Sequence, residues 1–245
     1  LFPLIFAAYW ISYKCNSRRF CVSKYLLLAI SYGVYIQWSP IFGLVLFAIT
    51  LLTYLFAILI ANHPAKRKFL IWTGSLLTLS PLLLFKYFNF VNKAGASALQ
   101  WIGIDVAPPS LTWVVPLGLS FYTFQALGYL FDVYRSKIKA ETDFPDYMLF
   151  VSFFPQIFCG PISTAGELMP QIKNPKPFSY SFAISGLRLM LWGMFLKVVL
   201  ADRAGIYVDS VFSDYESFNG TSNLLASLLY TLQIYGDFAG YSYIA

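Results

Sequence analysis

Long apolar runs separated by short polar clusters organise this chain. Residues 1–12, 20–38, 41–61, 69–90, 113–134, 182–201 and 223–245 are each dominated by aliphatic and aromatic side chains. A helix needs about 20 mainly apolar residues to cross the hydrocarbon core of a bilayer, and all but the first of these runs come close to that length. Residues 147–158 are equally apolar but too short to span comfortably, and Gly160-Pro161 follows directly. That stretch is expected to form a short or re-entrant helix walled in by its neighbours, because irregular backbone at membrane depth must be shielded from lipid. The fold class is therefore an all-α integral membrane protein, a multispanning helical bundle. No internal repeat or separate soluble segment is visible, so residues 1–245 are treated as one domain. The chain opens on Leu1 inside an apolar run and stops at Ala245 inside a predicted helix, so truncation is expected at both ends. No basic region precedes the apolar opening, which argues against a secretory signal.

The polar clusters alternate in charge. Lys14, Arg18 and Arg19 follow the first run, and the 37–40 connection after the second carries no charge. Lys66, Arg67 and Lys68 follow the third run, and Arg135, Lys137 and Lys139 follow the fifth. Basic clusters on alternate loops obey the positive-inside rule, which sets these loops in the cytoplasm and the N-terminus outside. Between them, residues 92–111 (NKAGASALQWIGIDVAPPSL) are the best external loop, with an interfacial helix expected around Trp101. Residues 173–177 read as a second, proline-punctuated loop.

Composition strengthens this picture. The chain is 58% hydrophobic, 20% aromatic and only 11% charged, whereas soluble domains average about 25% charged residues. The net charge is +6, yet residues 1–104 hold nine Lys or Arg and no Asp or Glu. Charges gathered in topological clusters do not make a nucleic-acid surface, and none is expected as a partner. Cys15, Cys21 and Cys159 fit no zinc or redox spacing, and no metal site is predicted. His63, the only histidine, belongs to the polar Asn62-His63-Pro64 loop.

Polar side chains within apolar spans are costly, which makes them candidates for function or for packing. Along 113–134, Gly118, Tyr122, Gln125, Tyr129 and Asp132 fall on one narrow helical arc. This stripe must face protein or a water-filled cavity. Tunnel lining and helix packing are both open, the latter with Asp132 pairing Arg135. Along 230–245, Gln233 and Asp237 share a face, Tyr230 and Tyr241 lie near it, and Gly236 and Gly240 form a small-xxx-small pair suited to close helix contact. A carboxylate in that setting points to a lined site. Its partners are expected to be Tyr side chains, Gln125, Gln233 or water, since no charged residue lies nearby in sequence. Lys197 and Arg188 are expected to act as snorkelling anchors. Phosphate-cradling glycine loops, nucleophile elbows and metal-ligand clusters are absent.

Four ordered stretches resemble the membrane-bound O-acyltransferases. Residues 115–135 (VPLGLSFYTFQALGYLFDVYR), 153–162 (FFPQIFCGPI), 192–202 (WGMFLKVVLAD) and 230–245 (YTLQIYGDFAGYSYIA) are similar to signature elements of that family. The likeness is to the bacterial branch that includes alginate O-acetyltransferases and the D-alanyl transferases of teichoic acid. Two positions depart from the pattern. Tyr243 stands where the family's "YSDIA" has Asp, and Gly236 where "IYFDF" has an aromatic.

The resemblance implies helices arranged around a tunnel through the bacterial cytoplasmic membrane. It implies transfer of an acyl group, acetyl above all, from a thioester such as acetyl-CoA or an acyl carrier to hydroxyls of an extracytoplasmic polysaccharide or envelope acceptor. An extracytoplasmic acyltransferase or acyl carrier protein is the implied protein partner, membrane lipid the surroundings, and no bound cofactor is expected. It adds Pro155, Gln156, Gly160 and Pro161 to Tyr122, Gln125, Asp132, Gln233, Asp237 and Tyr241 as tunnel- or substrate-lining candidates. The family's catalytic histidine lies in a "WRRWHISLS"-like element after "YSDIA", beyond Ala245, so these 245 residues alone are expected to be inactive. Two other readings are a transporter or polysaccharide-export component and a catalytically dead family scaffold. A histidine in a Trp/Arg-rich context downstream separates the enzyme from both.

The charge pattern makes a direct topological prediction. Cysteines introduced at Arg18, Lys66 and Lys137 should be shielded from an impermeant thiol reagent in intact cells, and one at Gln100 should be labelled. Equal labelling of the Lys66 and Gln100 positions would overturn the orientation.

Overall fold

A computed structural model of the chain describes residues 5–6, 8–11, 19–101, 114–157, 162–175 and 177–245. These residues form helices and their connections, with no strand among them. Three described helices are long and apolar enough to cross a membrane: Pro40–Asn62, Pro64–Ser97 and Tyr180–Ser213. The protein is an all-α integral membrane protein. Its contacts gather into two compact units, Leu1–Phe158 with Ile162–Lys176, and Pro177–Ala245 with Cys159–Pro161. Each unit is described by itself.

In the first unit, α1 is Arg19–Trp38, α2 Pro40–Asn62 and α3 Arg67–Trp101, and a 3-10 turn at Pro64–Lys66 joins the last two. Helix α4 is Leu119–Tyr134, α5 Phe144–Ser152, α6 Phe154–Ile157 and α7 Ala165–Lys173. Helix α2 shows how an apolar sequence divides its faces. Ile41, Leu44, Phe47, Leu51, Leu55 and Leu59 recur every three or four residues and are exposed, as a lipid-facing stripe must be. Leu46, Ile49, Ala57 and Ile60 are buried opposite. Thr50 and Thr53 share that buried face and donate to the Leu46 and Ile49 carbonyls at 2.7 and 2.8 Å, which satisfies each hydroxyl within its own helix.

Two predicted boundaries move. Helix α3 runs 35 residues, about 52 Å at 1.5 Å per residue, so the part of the expected external loop from Asn92 to Trp101 is helix instead. No proline lies between Phe90 and Trp101 to stop it. The interruption it does contain, Pro81, cannot donate to the Leu77 carbonyl. The Ser80 hydroxyl donates to that carbonyl instead, at 2.8 Å. Helix α4 is only 16 residues and starts later than the 113–134 run, because Gly118 ahead of it takes φ 73°, a left-handed conformation open to glycine. The Leu117 carbonyl in this turn accepts the Tyr35 hydroxyl. Helix α7 matches no predicted span; its buried Ala165, Met169 and Ile172 face inward while its length is nine residues.

The basic clusters at 66–68 and 135–139 meet at one end of this unit. Arg67 Nη2 donates to the Val133 and Tyr134 carbonyls at 2.9 and 2.5 Å and to Ser136 Oγ at 3.0 Å, closing the C-terminus of α4. At that end Lys24 pairs with Asp143 at 3.2 Å and Asp146 at 2.7 Å, and Lys173 with Glu141 at 2.6 Å. The entrance to α5 and the exit of α7 are therefore both tied to the basic end. Within the expected 147–158 stretch the described residues form two short helices rather than one span.

The turn between these two helices explains much of the polar burial. Phe153 takes ψ 106° and ends α5, so the Phe150 carbonyl and the Phe154 N–H, partners four residues apart in an unbroken helix, lose each other. Gln125 Nε2 on α4 donates to the Phe150 carbonyl at 3.0 Å, and Ser31 Oγ on α1 accepts from the Phe154 N–H at 3.2 Å. Tyr147 adds a third tie, its hydroxyl donating to Thr53 Oγ1 on α2 at 2.7 Å. The turn is thus held by three different helices.

Substituting Gln125 with Leu should leave the Phe150 carbonyl unpaired, at a cost of about 1–3 kcal/mol. Thermal unfolding in nanodiscs should show Gln125→Leu melting several degrees below the parent, and the lipid-facing Leu55→Ala close to it. An unchanged melting temperature in Gln125→Leu would remove this role.

Candidate functional site

The second unit carries the densest polar cluster within an apolar span. Its helix α8, Tyr180–Phe195, widens into a π-helix at Leu196–Ala201 and continues as α9, Asp202–Ser213. Helix α10, Gly220–Ile244, packs along all three pieces, its N-terminus capped by Asn219, which accepts from the Ser222 N–H at 2.8 Å. The predicted 182–201 span is thus only the first part of a continuous 34-residue apolar segment. Lys197 falls near its middle, not at its end.

Glycines set how closely these helices approach. A Cβ on Gly193 would lie 2.6 Å from the Gly240 carbonyl oxygen, and one on Gly240 would lie 2.8 Å from the Gly193 carbonyl oxygen. A Cβ on Gly236 would meet Ala201 Cβ and the Leu196 carbonyl oxygen, both at 3.1 Å. The small-xxx-small pair therefore brings α10 into backbone contact with α8 and the π-helix. This also accounts for Gly236 in place of the family's aromatic: here that position faces the wall of the π-helix with no room for a ring.

The contact delivers an ion cluster. Lys197 Nζ lies 2.5 Å from Asp237 Oδ1 and 2.8 Å from Asp202 Oδ1, and 5.6 Å from the centroid of the Tyr241 ring. The Lys197 and Asp237 side chains retain 27% and 32% of their exposure and Asp202 51%, so the cluster is only partly enclosed by its own unit. This corrects two expectations. Lys197 is no snorkelling anchor, and the partner of Asp237 is a lysine forty residues earlier, not a tyrosine, a glutamine or water. Tyr241 contributes its ring face to the ammonium. Arg188, the other expected anchor, is exposed. The signal the sequence reading passed over was a pair of opposite charges in separate apolar runs, since intramembrane charges are found paired.

Gln233 lies one turn before Asp237 and reaches α9, where its Nε2 lies 2.9 Å from the place a Cβ on Gly205 would take. Its Oε1 is buried with no hydrogen-bond partner. Gln233, Asp237 and Tyr241 thus line one side of α10, with Lys197 and Asp202 facing them. The cluster lacks a nucleophile, and a carboxylate held by an ammonium is a poor base. Its chemistry is that of holding and orienting a polar group.

In the first unit the other candidates have separate places. Tyr122 is fully buried, its hydroxyl without a hydrogen-bond partner and its ring edge-on to Tyr35 at 6.2 Å. Gln125 holds the turn between α5 and α6. Asp132 pairs with Lys137 at 3.7 Å and not with Arg135; one further turn of chain lets Lys137 fold back over the helix end, where its N–H also meets the Asp132 carbonyl at 2.9 Å. Pro155 and Gln156 form the short α6, and Gln156 Oε1 is buried without a partner. Gly160, Pro161, Cys15 and Cys159 lie outside the described residues. His63 is exposed, its Nδ1 3.2 Å from the Leu59 carbonyl oxygen, and no group of metal-ligating side chains occurs among the described residues.

No family model matches the chain, and no solved structure does. Curated relatives do. The probable alginate O-acetylase AlgI of Pseudomonas syringae pv. tomato is 31% identical over 99% of this chain and 46% of its own length. That of Pseudomonas putida is 32% identical over 99% of this chain and 49% of its own. The peptidoglycan O-acetyltransferase of Helicobacter pylori is 30% identical over 98% of this chain and 50% of its own. The chain spans about half the length of the curated relatives it matches. These alignments run through the four signature-like stretches, and with the all-helical membrane architecture around them they support a place for the chain among the membrane-bound O-acyltransferases.

Proposed function

We propose that this protein serves an O-acyltransferase that moves an acetyl group from a thioester donor to hydroxyls of an extracytoplasmic polysaccharide. In that reaction the acceptor oxygen attacks the thioester carbonyl, the carbon–sulfur bond breaks, and the thiol leaves with the proton that the hydroxyl gives up to a base. The observation that carries the reading is the Lys197–Asp237–Asp202 cluster beneath Tyr241, set in an apolar span of a chain aligned end to end with O-acetyltransferases. Within it, Lys197, Asp237, Gln233 and Tyr241 hold a polar part of donor or acceptor. Tyr122 and Gln156, whose buried oxygens lack partners, together with Pro155, line the path in the first unit. Gln125 and Asp132 shape that path by holding the backbone around it. His63 has no catalytic part, being exposed beside Pro64. The protein resides in the bacterial cytoplasmic membrane with its N-terminus outside and its basic loops in the cytoplasm.

The test uses cells lacking the gene, complemented with the complete gene product. The parent gene should restore O-acetyl esters on the envelope or secreted polysaccharide; failure to do so would sink the assigned reaction. Lys197→Met combined with Asp237→Asn removes the closer, less exposed pair together, which is tolerated far better than loss of one partner, and leaves only Asp202, whose side chain keeps 51% of its exposure, without its lysine. The double variant should accumulate in the membrane at close to parental levels, yet ester content should fall roughly 10²-fold, the scale for removing a positioned polar contact. Parental ester content in the double variant would reduce the cluster to a structural tie.

A further inference from the structure

At the basic end of the first unit, a cleft of about 640 Å³ opens between the α2–α3 connection and the segment after α4. Asn62, Pro64 and Arg67 form one wall, Ser136 and Lys139 the other, and Ile58 contributes to an apolar floor. Its cations lack carboxylate partners. Arg67 donates only to two carbonyls and a hydroxyl, and its buried Nε has no partner. Lys139 is exposed and forms no salt bridge. The acids nearby are committed elsewhere: Asp132 to Lys137, Glu141 to Lys173, and Asp143 to Lys24.

Location decides the occupant. Asn62 closes one membrane-length apolar helix and Pro64 opens the next, so the cleft sits at headgroup level, with exposed Leu59 and Phe69 on the lipid-facing surface just beyond. We propose that this cleft is a binding site for the phosphate-bearing headgroup of an anionic phospholipid. The phosphate lies between Arg67 and Lys139, Ser136 and Asn62 donate to its oxygens or to the glycerol, and the acyl chains leave over the apolar floor. The volume falls within the range of small-ligand pockets, and basic pockets between spanning helices recognise anionic headgroups. The proposal stands apart from the acyl-transfer reading and does not require it.

Native mass spectrometry of the full-length protein, delipidated in detergent and offered phosphatidylglycerol or phosphatidylcholine at equal concentration, tests it. The parent should retain phosphatidylglycerol roughly tenfold more than phosphatidylcholine. Lys139→Glu should abolish that preference, and Lys93→Glu, at the far part of α3, should keep it. Because Arg67 also closes α4, it is tested only as Arg67→Lys, with intact folding checked by melting temperature; a partial loss of preference is expected. Equal retention of the two lipids by the parent, or an unchanged preference in Lys139→Glu, would overturn the site. If coenzyme A displaces the lipid and its binding shows the same Lys139 dependence, the cleft belongs to a soluble phosphate ligand and the lipid assignment falls.

Discussion

A backbone that breaks its helix inside a membrane must find new partners for every freed N–H and C=O, and that requirement shapes the first unit. At the turn between α5 and α6, Phe150 and Phe154 lose the hydrogen bond they would share in a continuous helix. The replacement partners come from different spans: Gln125 supplies the donor and Ser31 the acceptor. Each substitute bond fixes the depth and rotation of the helix that provides it. Gln125, Ser31 and Thr53, one polar residue from each of three helices, are placed by one interrupted helix. The same solution recurs at smaller scale, where Ser80 covers the carbonyl that Pro81 leaves open and Tyr35 covers that of Leu117.

The second unit depends on closeness instead. Where Gly193, Gly236 and Gly240 remove side chains, the α10 backbone touches the segment opposite, and only then can Lys197 and Asp237 meet at 2.5 Å. The π-helix shifts the register of the segment by one residue at this point, and π-bulges of this kind recur at functional sites. A pair of opposite charges in an apolar span is a demanding arrangement. Sharing Lys197 between Asp237 and Asp202 under the Tyr241 ring distributes the charge over several partners.

Charge at the membrane boundary follows a third logic. The basic side chains at this end do more than mark the side on which a loop remains. Arg67 closes α4, while Lys24 and Lys173 fasten the start of α5 and the end of α7. These ties use up the local carboxylates and leave Arg67 and Lys139 facing an open cleft without a counter-charge.

Three membrane-length helices, the shortness of the helix that begins the 147–158 stretch and the polar loops at 66–68 and 135–139 were legible in the sequence by itself. Apolar length and charge clustering act locally and need no knowledge of neighbours. The four family-like stretches were equally legible, because each is a contiguous run. The pairing of polar residues was not. Gln125 is one polar residue on a helical arc until Phe150 arrives from 25 positions away, and Asp237 has no visible counter-ion until α10 packs against Lys197. Helix ends shifted for the same reason. Gly118 delays the start of α4 by its backbone conformation, and past Leu196 the π-turn runs against Gly236 of the opposite helix, where a side chain would have no room. Composition determined which segments the membrane would hold, whereas only three-dimensional packing decided which polar atoms would find each other within it.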